Sequence, residues 1–516
     1  MITLYELLES IHVLETRNLK NMDITGIAYN SKKVTQGNVF VCIKGYKTDG
    51  HKYIPDAIKN GAIAAVVEDF QEGWDIPQIR VANSREALAA LGDKFYGSPS
   101  KDMKIIGITA SNGKTTTSFM TNAILRNNGF KTGLIGTVKV EFGDYSEPSM
   151  LTTPESLDLH RYFYQMKAHN VSHVCMEVSS AALELNRVGN VDFDIVALNN
   201  ISREHIDFHG SFEKYFNSKA SLIRNAEPHQ WAILNLDCPY SASLVNQTRA
   251  KVLTYGIKNE NGDLWCKDID LSTGRAKFTV SIRKTFKLDD NIIYTPEEFD
   301  IELRTPGFHS VYNAMVAIMV GLLCGVPVPA IQKTLRTFTG VERRFEIVFE
   351  DDFKIIDDHF ANSGNIDVTL KTLEMMDYKN LKLVYAIRGS RGVTVNRENA
   401  EVIASWAPKL HLKEIIATLS RSHVTDKDVV QDEEIEAFQE VMRDAGIKVY
   451  LYEELPDAIA HALSTVEKGD VMLLAGCQGM DCGARIALEQ LSKLRPSMDK
   501  ERLFEPLVKR IAGMNN

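Results

Sequence analysis

Residues 104–117 read KIIGITASNGKTTT and decide the fold of the central part of the chain. An apolar strand runs into a Gly113-Lys114-Thr115 turn, which a helix-compatible run follows. Such a turn holds phosphate, because the N–H groups at a helix start lack intrahelical partners and the helix dipole is positive there. Lys114 is placed to reach terminal phosphate oxygens and the Thr115 hydroxyl to bind Mg²⁺. A P-loop usually has glycine at the position of Ile108, so an ordinary turn is the alternative.

Length and composition describe a large, folded, acidic chain. Its 516 residues suffice for roughly two to four domains, and 44% apolar residues favour folded structure throughout. A net charge of −9 offers no basic face, so we do not expect nucleic-acid binding. The seven cysteines are scattered, which is typical of reduced thiols in a cytoplasmic protein. The start MITLYELLE lacks a signal-peptide pattern, and without an apolar run of ~18 residues no membrane-spanning helix is expected.

The alternation of apolar strands with turn signals predicts an α/β protein of three domains. Residues 1–98 contain two strand candidates, 38–43 and 62–67, and are predicted to form a small N-terminal domain. Residues 99–340 are predicted to form a central domain around a P-loop-type parallel sheet. Residues 341–516 are predicted to form a C-terminal domain around a second, Rossmann-like parallel sheet.

Continuous apolar strands predict both parallel sheets, because a strand covered on both faces has no polar side. In the central domain these strands are 132–138, 171–178 and 193–201. In the C-terminal domain they are 353–356, 381–387, 414–417 and 471–475. Residues 251–305 instead alternate and are rich in charge, which predicts an antiparallel appendage.

Polar side chains follow two of the central strands where these strands end. Glu177 lies near the end of the strand at 174–178, and His205, Asp207 and His209 follow the next strand. Open α/β sheets bind ligands at this carboxyl edge, beside the phosphate turn. Glu177 is a candidate ligand for Mg²⁺, whereas a histidine ligand would suit Mn²⁺ as well. Taken singly, Asp207 and His209 fit ordinary loop residues as well as they fit metal or substrate ligands.

These motifs resemble the Mur ligase family, ATP-dependent enzymes that extend the peptide of cell-wall precursors. Residues 110–115 read ASNGKT where the family has Gly-Thr-Asn-Gly-Lys-Thr, and residues 177–180 match its Glu-Val-Ser-Ser. Residues 204–210 read EHIDFHG and are similar to its Asp-His-Leu-Asp-Phe-His-Gly. Lys219, by itself an ordinary helical surface lysine, falls on the family lysine that CO₂ carbamylates. The resemblance covers almost the whole chain.

The resemblance implies a role for each domain and for the phosphate turn. The N-terminal domain would bind the UDP-linked substrate, the central domain ATP, and the C-terminal domain the incoming amino acid. The implied catalytic residues are Lys114, Lys219 and His205, and the implied ligands of Mg²⁺ are Thr115, Glu177 and His205. The implied ATP contacts in the turn are Asn112, Gly113, Lys114, Thr115 and Thr116.

Within the family, the chain most resembles the MurE class, which adds the third residue to UDP-N-acetylmuramoyl-dipeptide. Matching its motifs places contacts to the UDP-linked substrate at Ser31, Thr152, Thr153, Ser179 and Arg187. Ser31 lies in an Asn-Ser-Lys segment where the family more often has Asp-Ser-Arg. A cation at Arg187 suits the carboxylate and phosphate charge of this substrate.

Three further ATP contacts follow from weaker matches. The segment around Asn313 keeps only the second asparagine of the family's Gly-x-Phe-Asn-x-x-Asn, and Arg344 matches the arginine of Gly-Arg-x-Glu. Aligning the family's Asp-Tyr-Ala-His with 358–361 puts apolar residues on the inner face of the helix that follows. Asp358 would then hold the ribose, and Asp357 remains a competing assignment.

The amino-acid side departs most from the family. Its Asp-Asn-Pro-Arg motif has no counterpart near 418–423, and its Lys-Gly-x-Glu region becomes GCQGMD at 476–481. We infer a changed amino-acid acceptor, and residues 389–392 with Arg397 are candidates for phosphate or carboxylate contacts. The predicted protein is a cytoplasmic, monomeric enzyme that acts on a UDP-linked muramoyl peptide and an amino acid. The alternatives are a related ligase with another substrate and a nucleotide-binding scaffold without catalysis.

Overall fold

The computed structural model describes residues 2–45, 48–202, 209–271, 275–288, 292–508 and 510–513. The chain divides into two compact units. The first comprises Met1–Asp263 with Met319–Val326, and the second Leu264–Ile318 with Pro327–Asn516. In the described part of the chain, no helix has the length and apolar character needed to cross a membrane.

The N-terminal part of the first unit is a small α/β layer. Its strands are β1 Ile2–Thr3, β2 Glu15–Arg17, β3 Asp23–Ile24, β4 Gly26–Ala28, β5 Asn38–Val41, β6 Ala62–Val67 and β7 Gln78–Arg80. Its helices are α1 Leu4–Leu8, α2 Ile54–Lys59 and α3 Ser84–Tyr96. The main sheet has the order β2-β7-β6-β5-β4, and only the β2–β7 pair is antiparallel. β5 is buried along its whole length, as its apolar sequence requires.

The central sheet of the first unit has the order β11-β10-β9-β12-β8-β13-β14-β15. Its strands are β8 Lys104–Thr109, β9 Thr132–Ile135, β10 Lys139–Phe142, β11 Tyr145–Pro148, β12 His173–Glu177, β13 Ile195–Leu198, β14 Trp231–Asn235 and β15 Lys251–Gly256. Its helices are α4 Lys114–Asn127, α5 Ser156–Ala168, α6 Ser180–Glu184, α7 Phe212–Arg224 and α8 Pro239–Ala242. The six strands from β9 to β15 in this order pair in parallel, so their carboxyl ends share one edge.

The second unit contains an antiparallel group and a second parallel sheet. Its strands are β16 Leu264–Asp270, β17 Arg275–Ile282, β18 Phe286–Lys287, β19 Ile293–Tyr294, β20 Glu297–Pro306, β21 Glu346–Glu350, β22 Lys354–Asp358, β23 Leu381–Ala386, β24 Glu414–Thr418, β25 Lys448–Tyr452 and β26 Val471–Ala475. Helix α9 Phe308–Leu323 runs on from this unit into the first. The other helices are α10 Val328–Thr337, α11 Ser363–Glu374, α12 Val393–Trp406, α13 Asp432–Asp444, α14 Leu455–Thr465, α15 Gly483–Leu494 and α16 Lys500–Phe504.

The parallel sheet of the second unit has the order β21-β22-β26-β23-β24-β25. Only β21 is antiparallel to its neighbour. Separate apolar clusters cover its two faces, one under α11, α12 and α13 and one under α14 and α15. The prediction of an α/β protein with a central and a C-terminal parallel sheet is therefore confirmed.

Several predicted elements differ in detail. The strand expected at 132–138 ends at Ile135, because the chain turns back and pairs β10 antiparallel with β9. β15 was expected in the antiparallel appendage, but it pairs in parallel with β14, and the antiparallel pairing begins at Leu264. The domain limits 1–98, 99–340 and 341–516 stay predictions.

A buried ion cluster connects Arg510 to other segments of the second unit. The Nε atom of Arg343 lies 3.4 Å from Asp357, and its Nη1 pairs with Asp481. Arg510 pairs with Asp357 and lies 3.3 Å from Glu346. Burying an ion costs several kcal/mol, so each member depends on its partners. Burial raises the pKa of Glu346 to about 7.

Glu346→Gln should change how the stability of the second unit depends on pH. Between about pH 4.5 and 7 the folded chain keeps the Glu346 proton that the unfolded chain loses, so the stability of the parent falls as pH rises. The glutamine variant cannot titrate at this position. The free energy of unfolding of Glu346→Gln minus that of the parent should therefore rise by about 3 kcal/mol as the pH increases across this window. Urea unfolding at each pH measures this. Glu350→Gln, at a far more exposed site, is the control, and equal pH slopes for all three proteins would contradict the prediction.

Candidate active site

The phosphate turn joins β8 to the start of α4. Gly113 is the N-cap of α4 with φ 88°, a left-handed conformation that glycine adopts without strain. The side chain of Asn200 accepts from Asn112 N at 3.0 Å and donates to Asn112 O at 2.9 Å. Ile108 is fully buried within β8, so the turn begins only at Ala110. This explains why the usual P-loop glycine is not needed at that position.

Two lysine side chains meet at the turn. Lys114 Nζ donates to Ala110 O at 2.8 Å and to Ser111 O at 3.0 Å. Lys219 Nζ donates to the same Ala110 O at 2.8 Å. The two nitrogens therefore lie within about 6 Å of each other. The geometry brings Lys114 and Lys219 together at one carbonyl, and their catalytic roles stay predictions.

Helix α7 carries Lys219 inward. Its buried residues include Tyr215, Lys219, Leu222 and Ile223, whose spacing defines one helical face. The Tyr215 hydroxyl lies 2.7 Å from Ser111 Oγ, and the ammonium of Lys219 lies 5.1 Å from the Tyr215 ring centroid. Lys219 is only 1% exposed, so the alternative of an ordinary surface lysine does not hold.

The carboxylate of Glu177 connects three segments at the sheet edge. The Thr115 hydroxyl donates to Oε2 at 2.9 Å and the Thr137 hydroxyl to the same oxygen at 3.0 Å. The backbone N–H of Thr137 donates to Oε1 at 2.8 Å. Glu177 is fully buried, and such a carboxylate needs hydrogen-bond donors in place of water. Thr137 follows β9, and the sequence analysis missed it because the predicted strand ran through it.

The pair Thr115 and Glu177 fits a divalent ion of the Mg²⁺ type. Their oxygens lie 2.9 Å apart, which is about the separation of two adjacent ligands in an octahedron with 2.0–2.1 Å bonds. Mg²⁺ usually takes one or two protein oxygens and completes its shell with water and substrate phosphates. Among the described residues, no group of three or more His, Cys, Asp or Glu side chains is arranged to hold a metal.

The third predicted metal ligand, His205, lies outside the described residues, as does Asp207. His209 is described and is 3% exposed. Its Nδ1 lies 2.5 Å from Glu184 Oε2, and burial lowers its pKa. Thr116, on the first turn of α4, is partly exposed.

The predicted substrate contacts Thr152, Thr153 and Ser179 lie against Glu177. Thr153 is fully buried, donates to Glu177 O at 2.8 Å and accepts from Ser179 N at 3.1 Å. Ser179 caps α6 by accepting from Ala182 N at 3.1 Å. Thr152 is partly exposed, and its hydroxyl lies 3.1 Å from that of Thr137. Thr152 and Ser179 are therefore both partly exposed, whereas Thr153 is buried.

A carboxylate that the sequence analysis missed holds the predicted cation Arg187. Glu155 lies 3.0 Å from Arg187 Nε and 3.3 Å from Arg85 Nη1, and Arg187 Nη1 donates to Thr153 O at 3.3 Å. All three charged side chains are less than 20% exposed. Glu155 sits directly before α5 and next to the Thr-Thr-Pro segment, which was the available signal.

Ser31 belongs to a short 3₁₀ helix, Ser31–Lys33, that Asn30 caps. It is 8% exposed, and its carbonyl accepts from Asn60 at 2.9 Å. Tyr29, two residues earlier, donates to Asp158 on α5 at 2.5 Å. This segment therefore packs against the helix that follows Thr153.

The remaining predicted ATP contacts lie in the second unit. Asn313 on α9 is 2% exposed, and Arg344 donates to Arg343 O at 3.1 Å. Asp358, at the end of β22, accepts from Phe345 N at 2.6 Å and from Thr369 at 2.8 Å. Burial raises its pKa to about 6. The competing residue Asp357 is fully buried in the ion cluster.

The candidate anion contacts of the C-terminal sheet are occupied by internal carboxylates. Glu434 accepts from the backbone N–H groups of Ser390, Arg391 and Gly392 at 2.6–2.9 Å. Arg391 also pairs with Asp428, and Arg397 pairs with Glu440. The expectation that residues 389–392 and Arg397 serve phosphate or carboxylate contacts is therefore not supported by this arrangement.

The fold and the site define a nucleotide-binding α/β enzyme with a P-loop-type phosphate turn. Family models match for the Mur ligase family catalytic domain over residues 23–96, the Mur ligase middle domain over 108–321 and the Mur ligase glutamate ligase domain over 343–478. A UDP-N-acetylmuramoyl-L-alanyl-D-glutamate–2,6-diaminopimelate ligase of Clostridium botulinum is 34% identical over 496 residues, or 95% of this chain and 96% of that protein. The ligase of the same name from Caldanaerobacter subterraneus is 34% identical, and the match covers 90% of this chain and 91% of that protein.

Solved structures support the same fold. The MurF ligase of Thermotoga maritima in complex with ADP matches with a TM-score of 0.61 and 21% identity, covering 90% of this chain and 97% of that one. A structure of a UDP-N-acetylmuramoyl-L-alanyl-D-glutamate–2,6-diaminopimelate ligase matches with a TM-score of 0.62 and 19% identity. This match covers 91% of this chain and 96% of that one. The chain belongs to the Mur ligase family, and its similar relatives are of the MurE type.

Proposed function

We propose that the protein is an ATP-dependent, ADP-forming ligase that joins an amino acid to a UDP-N-acetylmuramoyl-peptide. The observation that carries this proposal is the hydrogen-bonded connection of the phosphate turn, Glu177 and Thr152 at one edge of one sheet. ATP, a divalent ion and a carboxylate substrate are needed at one place for this reaction. The names of the relatives support the choice of substrate.

The reaction proceeds in two steps. An oxygen of the substrate carboxylate attacks the γ-phosphorus of ATP, the bond to the β-phosphate oxygen breaks, and ADP leaves an acyl phosphate behind. The amine of the amino acid then attacks the carbonyl carbon, and inorganic phosphate and a proton leave as the amide forms. Lys114 is the cation of the first unit that we assign to the charge on the transferred group. A phosphate-contacting role for Arg344 rests on its match to the family motif alone. Mg²⁺ held by Thr115, Glu177 and His205 would screen the phosphate charge.

Lys219 is assigned a catalytic role as a carbamylated lysine. It is buried on the inner face of α7, and its amine shares the Ala110 carbonyl with Lys114. Two ammonium groups so close repel each other in a site of low dielectric constant. Carbamylation would turn one of them into an anion and so replace this repulsion with attraction.

The UDP-linked substrate is assigned to contacts in the first unit with Ser31, Thr152, Thr153, Ser179 and Arg187. Arg187 can point guanidinium N–H groups at a substrate anion because Glu155 and the Thr153 carbonyl hold the other side of the group. Asn112, Gly113 and Thr116 complete the proposed ATP contacts of the first unit. ATP contacts of Asn313 and Asp358 are proposed from their matches to the family motifs alone. We place the enzyme in the cytoplasm, acting as a monomer.

The incoming amino acid is read by residues that differ from the family pattern. The segment at 418–423 lacks the Asp-Asn-Pro-Arg motif, and here Arg421 pairs with Glu453. Asp481, in the counterpart of the Lys-Gly-x-Glu region, is engaged by Arg343. We therefore propose an amino-acid acceptor different from the diaminopimelate that names the relatives.

A screen of amino acids identifies the acceptor and tests the function. The protein is incubated with Mg²⁺, ATP, UDP-N-acetylmuramoyl-dipeptide and each amino acid in turn, and ADP release and product mass are read. One amino acid is expected to give an adduct of the dipeptide with loss of water. ADP release with a different carboxylate, or ATP binding without turnover for any amino acid, would replace the proposed function with one of the two alternatives.

Lys114→Ala should lower kcat by at least about 100-fold, because a preorganised charge at the transferred phosphoryl group is lost. The matched control is Lys101→Ala, at an exposed position before β8, which should retain the parent rate. Single-turnover measurement of ADP formation separates this loss from weaker ATP binding. A Lys114→Ala protein that works at the parent rate rules the mechanism out.

Glu155→Gln should raise KM for the UDP-linked substrate by about 10-fold with kcat nearly unchanged, because Arg187 loses its charged anchor but takes no part in the bonds that change. The control is Glu141→Gln, since Glu141 also holds two cations, Arg126 and Lys139, at similar exposure. Steady-state kinetics with saturating ATP give both parameters. Equal KM values for parent and Glu155→Gln would show that Arg187 needs no such anchor.

A further inference from the structure

A continuous chain of side chains connects the phosphate turn to the substrate side of the first unit. Thr115 donates to Glu177 at 2.9 Å, Thr137 donates to the same Glu177 oxygen at 3.0 Å, and the hydroxyls of Thr137 and Thr152 lie 3.1 Å apart. We call these four residues the hydroxyl chain. Only Thr137 touches both Glu177 and Thr152 within it.

The direction of the protons in the hydroxyl chain follows from chemistry. A carboxylate has no proton to give, so Thr115 and Thr137 both donate to Glu177. A hydroxyl has one proton, which Thr137 has then used. In the contact between Thr137 and Thr152, Thr152 must therefore be the donor. The lone pairs of the Thr152 hydroxyl oxygen remain available, so this hydroxyl would accept a hydrogen bond from a bound substrate rather than donate one.

The backbone around Thr137 is shaped to hold the carboxylate. The N–H of Thr137 donates to Glu177 Oε1 at 2.8 Å, while its hydroxyl takes Oε2. A Cβ atom at Gly136 would lie 2.3 Å from Glu177 Oε1, so only glycine allows this approach. Both carboxylate oxygens are thereby fixed by one residue, which sets the orientation that Glu177 presents towards Thr115.

We propose that Thr137 is a positioning residue that orients Glu177 for the divalent ion and couples ion binding to substrate binding at Thr152; this rests on the proposed function. A hydrogen bond donated to Thr152 by the substrate polarises the hydroxyl chain and strengthens the bond from Thr137 to Glu177. Ion binding then finds its carboxylate already ordered. By linkage, the ion strengthens substrate binding by the same factor.

Mn²⁺ titration followed by electron paramagnetic resonance tests the ion half without any turnover. The protein is saturated with ADP, and the free Mn²⁺ signal gives the dissociation constant. Thr137→Val, which removes only the hydroxyl, should weaken Mn²⁺ binding by about 10–100-fold, as loss of a partner of a ligating carboxylate does. Thr137→Ser keeps the hydroxyl and should restore binding to near the parent value.

The control for a merely structural effect is Thr121→Val. Thr121 is fully buried on α4 and donates to Thr117 O at 2.8 Å, with no contact to Glu177 in the hydrogen bonds described. It should lower thermal stability as Thr137→Val does but leave the Mn²⁺ dissociation constant at the parent value. Unchanged Mn²⁺ binding in Thr137→Val, or an equal loss in Thr121→Val, overturns the role of Thr137.

The coupling half uses the same titration with and without UDP-N-acetylmuramoyl-dipeptide. In the parent and in Thr137→Ser, this substrate should tighten Mn²⁺ binding by about 5-fold or more, within the usual range of coupling between sites. In Thr137→Val the two constants should be nearly equal. A coupling that survives in Thr137→Val overturns the inference. If the parent binds Mn²⁺ with ADP but never releases ADP from ATP with this substrate, the proposed function is contradicted instead. The role of Thr137 in Mn²⁺ binding is then still decided by the Mn²⁺ titrations of the variants.

Discussion

The buried carboxylate of Glu177 is the constraint on which the central site depends. A carboxylate at a fully buried position must take hydrogen bonds from the protein, because water is absent and an unpaired ion costs several kcal/mol. Its donors come from α4 and from the turn after β9, and its own backbone carbonyl takes the Thr153 hydroxyl. Satisfying one charge therefore places the phosphate turn, the turn after β9 and the Thr152–Thr153 segment within one network.

The second unit uses ions in a different way. Several of its arginines pair with carboxylates of the same unit, in the ion cluster around Asp357 and in the surface pairs of Arg391, Arg397 and Arg421. The carboxylate of Glu434 accepts hydrogen bonds from the backbone N–H groups before α12, where an anion could otherwise bind. Internal ion pairs therefore engage residues in both segments, 418–423 and 476–481, where the sequence departs from the family pattern.

Sequence reasoning succeeded where a local pattern carries the physics. Continuous apolar runs required parallel sheets, and the phosphate turn required a helix start, so the fold class and the edge with Glu177 could be predicted. Sequence reasoning failed where the neighbouring strand decides how a segment pairs. Nothing in the run from 132 to 138 distinguishes one strand from two antiparallel ones, and β15 joins a parallel sheet despite its charged neighbours. Thr137 was missed because the predicted strand ran through it, and Glu155 because its partners Arg187 and Arg85 are far away in sequence.

The sequence alone determined the strand, turn and helix around Lys114, the order of the α/β elements, and the motifs that define the family, because these depend on neighbours along the chain. The tertiary structure alone decided that Lys114 and Lys219 share one carbonyl, that Thr153 is a buried support, and that Thr137 links Glu177 to Thr152. The physical reason is that hydrogen bonds to a buried charge are set by packing between distant segments. Such distances are properties of the folded chain.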